Sequence, residues 1–134
     1  MKAGEATWQQ GILLKGNGLC HGISGNGLLL HTIARWHNLR SAGDAQRLGL
    51  SEQAISEVVK QYRLRALMFA RALSLESVQR LCKNHDDKTR LKTGSPDHPW
   101  SLFEGIFGEI CMLADLSHPN DLTVARFPAY DVLF

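Results

Sequence analysis

The sequence predicts an all-α fold, and three observations support this class. Apolar residues recur every three or four positions over residues 51–73, which is the spacing of one helix face. Two other segments, 28–40 and 101–116, are apolar nearly all round, as in helices that pack on more than one side. No alternation of strands with helices and no hairpin signal is found. The 134 residues fit within one ordinary domain.

The first predicted helix, residues 28–40, follows a glycine-rich segment. It has an apolar stripe at Leu29, Ile33 and Trp36, which Leu28, Leu30 and Leu39 widen. Residues 41–50 read as a connection. Ser51 then predicts an N-cap at the start of a second, half-exposed helix. The residues expected to form its buried face are Ile55, Val59, Tyr62, Ala66, Phe69 and Leu73.

Residues 74–94 are predicted to be a variable region, with a weaker helical stretch followed by a polar loop that continues to Pro99. The last helix is expected to begin at Ser101, because Ser101 and Glu104 have the spacing of a capping box. Gly105 and Gly108 lie three positions apart within it. Residues that small would let another backbone approach closely.

Composition excludes several functions. The formal charge of +2 is too small, and the basic residues too dispersed, to indicate binding of nucleic acid. No apolar run approaches the roughly 20 residues of a membrane span, and no signal peptide is visible. Three cysteines at unrelated spacings do not form a disulfide framework. We therefore expect a cytoplasmic, reducing location, with peripheral contact to a membrane left open.

The segment "KGNGLCHGISGNG", residues 15–27, places Cys20 next to His21 among five glycines. Thiolate and imidazole both suit zinc, and glycines would let adjacent ligands bend toward one ion. From the residues alone, a zinc site and a packed glycine turn both stay open. Cys82 and Cys111 are expected in the core, and His31 and His37 in packing or on the surface. A phosphate loop is disfavoured because no Walker ending or preceding strand is present.

Three segments together resemble the lanthionine synthetase C-like (LanC-like) family: "KGNGLCHGISGNG", "PWSLFEGIFGEICMLADL" and the terminal "ARFPAYDVLF". The last is similar to the ending of eukaryotic members. The resemblance covers about residues 8–131 and implies that residues 1–134 are the C-terminal part of one LanC-like domain. The implied fold is an (α/α) toroid, of which this chain would form the last two helical hairpins, an incomplete barrel. Segments 28–40 and 101–116 would be inner helices, and 51–73 an outer one.

The resemblance also implies a zinc site made by two cysteines and one histidine, with a position open for a substrate thiol. Cys20 and His21 match the adjacent ligands, and the other cysteine is expected upstream of this chain. Family members add a thiol to a dehydroamino acid in a peptide, using a peptide cysteine in bacteria and glutathione in eukaryotes. Lys15 matches a glutathione-binding lysine. Ser95, Pro96 and Asp97 match a glutathione-binding stretch, in which Gly94 here stands in place of an arginine.

The family's acid–base residues and third zinc ligand are not found in this sequence, so we expect the chain alone to be incomplete as an enzyme. The alternative is a catalytically inactive helical module that binds a partner protein or a missing N-terminal part through exposed inner helices. A glycosidase on a similar toroid is disfavoured, because paired catalytic carboxylates are lacking. The acceptor substrate, and whether the chain is a fragment or a short protein, are left open.

Overall fold

The computed structural model describes residues 2–12, 16–49, 51–82, 98 and 100–118, and for 39–48 and 74–82 it describes only the helical backbone. Four helices and no strand occur within these ranges, which confirms the predicted all-α class. The helices are α1 (Lys2–Gln10), α2 (Ile23–Leu48), α3 (Glu52–Cys82) and α4 (Ile106–Ser117).

Helix α2 is longer than predicted, because it includes most of the segment 41–50 that was expected to be a connection. One glycine costs a helix only about 1 kcal/mol, and the alanines, glutamine, arginine and leucine around Gly43 are helix formers. The helix ends where Gly49 adopts a φ of 62°, a left-handed conformation that glycine accepts readily. A connection of three residues then leads into α3, so α2 and α3 form a helical hairpin.

Helix α3 begins as predicted and continues further than predicted. Ser51 Oγ accepts a hydrogen bond from the Ala54 N–H at 3.2 Å, which confirms the N-cap. The helix continues to Cys82, so the variable region predicted at 74–94 begins inside a helix. Residues 74–82 contain neither glycine nor proline, and the sequence therefore gives the helix no reason to stop near Leu73.

The core lies between α2 and α3, and every residue of the predicted α3 face is buried. Leu30 and Ala34 of α2 and Met112 of α4 belong to the same cluster. Of the stripe predicted on α2, Ile33 packs against the core, but Leu29 is 41% exposed and Trp36 46% exposed. Three consecutive leucines left the rotation of this helix undetermined, and Leu28 and Leu30, which were predicted to widen the stripe, are both buried.

Residues 2–10, to which the sequence pattern assigned no element, form α1. Trp8 of this helix packs against Phe69, with 6.2 Å between the ring centroids. Arg65 lies 5.1 Å from the centroid of the Trp8 ring and pairs with Glu5 at 2.8 Å. Arg65 therefore attaches α1 to α3.

Helix α4 begins at Ile106, so the predicted start at Ser101 is wrong. The capping contact does form, with the Glu104 N–H donating to Ser101 Oγ at 3.0 Å, but residues 102–104 make a turn. The reason is a competing interaction, because the Phe103 carbonyl accepts a hydrogen bond from the glycine-rich segment. No helix in the described part of the chain is both long and apolar enough to cross a membrane.

Helix α4 has an unusual division of its side chains. It buries Gly108, Glu109, Met112 and Asp115 toward the rest of the described chain. Its large apolar residues lie exposed on the other side: Ile106, Phe107, Ile110 and Leu113. The predicted all-round burial is therefore not seen within the described residues, where two carboxylates face inward and four apolar side chains face outward.

Candidate metal centre

Residues 16–22 form a compact turn that leads directly into α2, and Cys20 and His21 are exposed on it. The Ile23 N–H donates to the Gly16 carbonyl at 3.1 Å, and the Gly25 N–H to the Gly18 carbonyl at 3.4 Å. Both N–H groups belong to the first turn of a helix, where no intrahelical acceptor exists. The turn is therefore folded back on the start of the helix that follows it.

The two predicted ligands lie side by side, with 3.4 Å between Cys20 Sγ and His21 Nε2. In a tetrahedral zinc site with bonds of about 2.3 Å to sulfur and about 2.0 Å to nitrogen, these atoms lie about 3.5 Å apart. The arrangement therefore fits two ligands of a single ion. Among the described residues, no group of three or more His, Cys, Asp or Glu side chains is placed so that it could hold a metal ion.

The segment 101–105 ("SLFEG") holds this turn from the other side. The Cys20 N–H donates to the Phe103 carbonyl at 2.8 Å. A Cβ on Gly18 would collide with the Phe103 carbonyl oxygen and with the Glu104 backbone. Gly108 also lies close to the backbone of Leu19, since a Cβ there would be 2.9 Å from the Leu19 nitrogen. The predicted close approach at Gly108 is confirmed, and the structure brings the two motifs together.

A side-chain hydrogen bond reinforces this contact. Asn17 Nδ2 donates to Glu109 Oε2 at 3.0 Å, and both side chains are almost completely buried. Asn17 lies three residues before Cys20, and Glu109 lies in the first turn of α4. The turn is therefore anchored to α4 by a side chain as well as by backbone.

A second polar cluster joins α2 to α4 further along the helices. Arg35 Nη1 contacts Asp115 Oδ1 at 3.0 Å, and His31 Nε2 lies 3.5 Å from Asp115 Oδ2. Burial, together with the positive charges of Arg35 and Arg63, lowers the pKa of His31 to about 4. His31 is thus a neutral packing residue at physiological pH, and His37 is buried too, as the sequence predicted for both.

The predicted site residues divide into two groups. Cys20 and His21 are brought together, whereas Lys15, Ser95, Pro96 and Asp97 lie outside the described residues. Cys111 is only half-buried, contrary to its predicted place in the core, and Cys82 ends α3.

Sequence reasoning missed three residues that support the turn and the α2–α4 contact: Asn17, Glu109 and Asp115. The sequence contained one signal for two of them, since Glu109 and Asp115 are carboxylates inside an otherwise apolar helix. Buried charges are rare unless they have partners, so a partner for each could have been sought.

Several known proteins are similar in sequence to this chain. The chain is 35% identical over 135 residues to glutathione S-transferase LANCL1 from Danio rerio, a match that covers 98% of this chain. It is 27% identical over 132 residues to the LanC-like protein GCL1 from Arabidopsis thaliana, again over 98% of this chain. The matches span 24% and 23% of these relatives, so the chain corresponds to about a quarter of their length. No protein-family model and no solved structure matches.

Proposed function

Because this chain belongs to the LanC-like family, we propose that it contributes Cys20 and His21 to a zinc site that activates a thiol for addition to a dehydroamino acid in a peptide. One observation carries the proposal: the two donor atoms lie 3.4 Å apart, and both side chains are exposed on a turn that α4 and the SLFEG segment hold in place. The activity proposed is that of the longer protein, of which this chain matches a quarter.

Bound zinc would supply a positive charge that keeps a coordinated thiol deprotonated at neutral pH. Cys20 would act as a thiolate ligand and His21 as a neutral imidazole ligand. In the addition, the substrate sulfur bonds to the β-carbon of the dehydroamino acid and the α-carbon takes a proton, so no group leaves. The hydrogen bond from the Cys20 N–H to the Phe103 carbonyl keeps the ligand turn in place.

The test is the zinc content of the purified, metal-replete chain beside a Cys20→Ala/His21→Ala variant. We expect zinc in the wild-type chain and its loss from the variant. Cys111→Ala is the matched control, because it removes a half-buried thiol from α4 and not from the turn. Equal zinc in the wild type and the double variant would contradict the proposal.

As the thiol we propose glutathione, since one relative is named a glutathione S-transferase. The Lys15 ammonium would pair with a carboxylate of the tripeptide, and Ser95, Pro96 and Asp97 would border the same site. Calorimetric titration of the zinc-loaded chain with glutathione should show weaker binding in Lys15→Ala and in Asp97→Ala. Lys60→Ala removes an exposed lysine of α3 and should bind as the wild type does. Identical affinity in all four proteins would contradict this assignment.

A second function, a helical module that binds other proteins, is favoured by the exposed apolar residues of α4. The two proposals make different predictions for the Cys20→Ala/His21→Ala variant. A metal-dependent role is lost with these two side chains, whereas association through α4 persists without them.

A further inference from the structure

The turn that carries Cys20 and His21 packs against the first turn of α4, where the Glu109 side chain accepts a hydrogen bond from Asn17 of the turn. We propose that Glu109, acting through Asn17, is a positioning residue for this Cys–His pair. The metal-binding part of this inference rests on the proposed function. The part that concerns the conformation of the turn does not.

Two adjacent residues of α4 contact two residues of the turn on the approach to Cys20. Glu109 accepts a hydrogen bond from Asn17 at 3.0 Å, and Gly108 lies against the backbone of Leu19. The chain between these contacts and Cys20 is short, so a shift of Asn17 is transmitted to the ligands. The Cys20 N–H is in turn bonded to the Phe103 carbonyl at 2.8 Å, just before α4.

The burial of both partners restricts this hydrogen bond to one geometry. Asn17 is 6% exposed and Glu109 is 7% exposed, so water cannot readily replace either partner. A carboxylate oxygen accepts hydrogen bonds, and this fixes the amide of Asn17 with its nitrogen toward α4. Losing either partner leaves the other buried polar group without this bond, and the turn must move to reach water.

The positioning role of Glu109 differs from the role of the Arg35–Asp115 contact, which joins α2 to α4 but lies away from the turn. It also differs from that of Met112, a completely buried apolar residue of the same helix. Met112→Ala should loosen the packing of α4 without removing a hydrogen bond from the turn. Met112→Ala is therefore the control for general destabilisation.

The experiment uses four variants of the 134-residue chain besides that control. Glu109→Leu removes the acceptor, and Asn17→Asp places two carboxyl groups against each other. Glu109→Gln keeps an acceptor oxygen. The double variant Asn17→Asp/Glu109→Gln restores the bond with donor and acceptor exchanged between the turn and α4.

The first measurement is hydrogen exchange of the Cys20 amide in metal-free protein, at matched global stability. The second is cobalt(II) affinity, with the sulfur-to-cobalt charge-transfer band as the signature of the Cys20 ligand. We expect faster Cys20 exchange and a cobalt dissociation constant raised about tenfold in Glu109→Leu and Asn17→Asp. Glu109→Gln and the double variant should remain close to the wild type, and Met112→Ala should change neither measurement.

The outcomes separate this inference from the proposed function. Unchanged Cys20 exchange in Asn17→Asp and Glu109→Leu, or equal changes in Met112→Ala, would overturn the positioning role even if cobalt still binds through Cys20. Failure of the double variant to recover would overturn it as well. Faster exchange that the double variant reverses, in a chain that binds no cobalt, would support the positioning role and contradict the metal site. If Glu109→Leu does not fold, Asn17→Asp and the double variant decide the question.

Discussion

His31 shows how burial gives a single residue a pH-dependent effect on stability. Its side chain is 1% exposed, its pKa is lowered from 6.5 to about 4, and the charged groups around it are Arg35 on α2, Arg63 on α3 and Asp115 on α4. Because the folded pKa lies below the unfolded one, the unfolded chain binds more protons between these two values. Stability from the neutral His31 is therefore complete above about pH 6.5 and is lost as the pH falls toward 4.

We predict that the free energy of unfolding falls by about 2 kcal/mol between pH 7 and pH 5 through this histidine. Urea unfolding at the two pH values measures the difference. His31→Gln should lose most of it, whereas His118→Gln, which replaces an exposed histidine, should keep it. The same pH dependence in His31→Gln and the wild type would show that other groups cause it.

Gly18 lies where the ligand turn meets the SLFEG segment, and we predict that Gly18→Ala damages both stability and metal binding. The new Cβ would collide with backbone atoms of Phe103 and Glu104, which cannot rotate away. The expected loss in the free energy of unfolding is about 1–3 kcal/mol, as for other overpacked sites. Urea unfolding and competition for zinc with a chelator measure the two effects.

Gly49→Ala is the matched control for this substitution. Gly49 has a φ of 62° but nothing within 4 Å of an added Cβ, so alanine there meets backbone strain alone. We expect a cost of about 1 kcal/mol in stability and no change in zinc affinity. Equal zinc affinity in Gly18→Ala and Gly49→Ala would contradict a tight contact at the turn.

At the scale of helices, the sequence predicted the buried face best for a helix that packs one face against the rest of this chain and exposes the other. The six residues on the inner face of α3 follow helical spacing and are all buried, while its exposed side carries polar residues such as Lys60 and Gln61 beside the apolar Leu64, Leu67 and Met68. Helix α4 has no such polar face. Its start and rotation are determined by contacts of Phe103 and Glu109 with a turn more than 80 residues earlier, which periodicity cannot reveal.

The ion pair between Arg35 and Asp115 joins α2 to α4, and we predict that it matters far more than exposed pairs. Arg35→Met would leave the Asp115 carboxylate, whose side chain is 4% exposed, without this cation, at a cost of about 3 kcal/mol. Lys60→Met is the matched control, since Lys60 and Glu57 are 4.0 Å apart and exposed, a pair worth at most about 0.5 kcal/mol.

Urea unfolding measures the free energy of unfolding of both variants. The double variant Arg35→Met/Asp115→Leu should recover part of the loss, because it removes the buried charge together with its partner. Similar losses in Arg35→Met and Lys60→Met would mean that the buried pair does not fasten the two helices.

At the scale of the whole molecule, the sequence predicted only the part of the candidate site whose residues are adjacent in sequence. Cys20 and His21 are neighbours in sequence, so the residues alone left a zinc site open beside a packed glycine turn, and the 3.4 Å separation fits two ligands of one ion. The anchors of the turn lie at the other end of the described chain, and the only local signal for them is the carboxylate of Glu109 within an otherwise apolar helix. The same separation in sequence explains why the orientation of α4 was not predicted. Its buried carboxylates contact the turn and α2, whereas its apolar residues face outward.

The outward face of α4 leads to a prediction about association of the molecule. Phe107 is 50% exposed and Ile110 is 51% exposed, one turn apart on the same helix face. Contiguous apolar surface of this kind favours contact between molecules. We predict that the chain self-associates as its concentration rises, and that Phe107→Glu/Ile110→Lys reduces association without lowering the free energy of unfolding.

Sedimentation velocity over a range of concentrations measures the association, and urea unfolding measures the stability. Met112→Lys is the matched control, because it places a charge on the buried face of the same helix. Burying that ammonium should destabilise the fold by several kcal/mol, of order 3 or more. If Phe107→Glu/Ile110→Lys unfolds the chain as Met112→Lys does, then α4 is packed on both sides, and its apolar face is part of the core that holds the Cys20 turn.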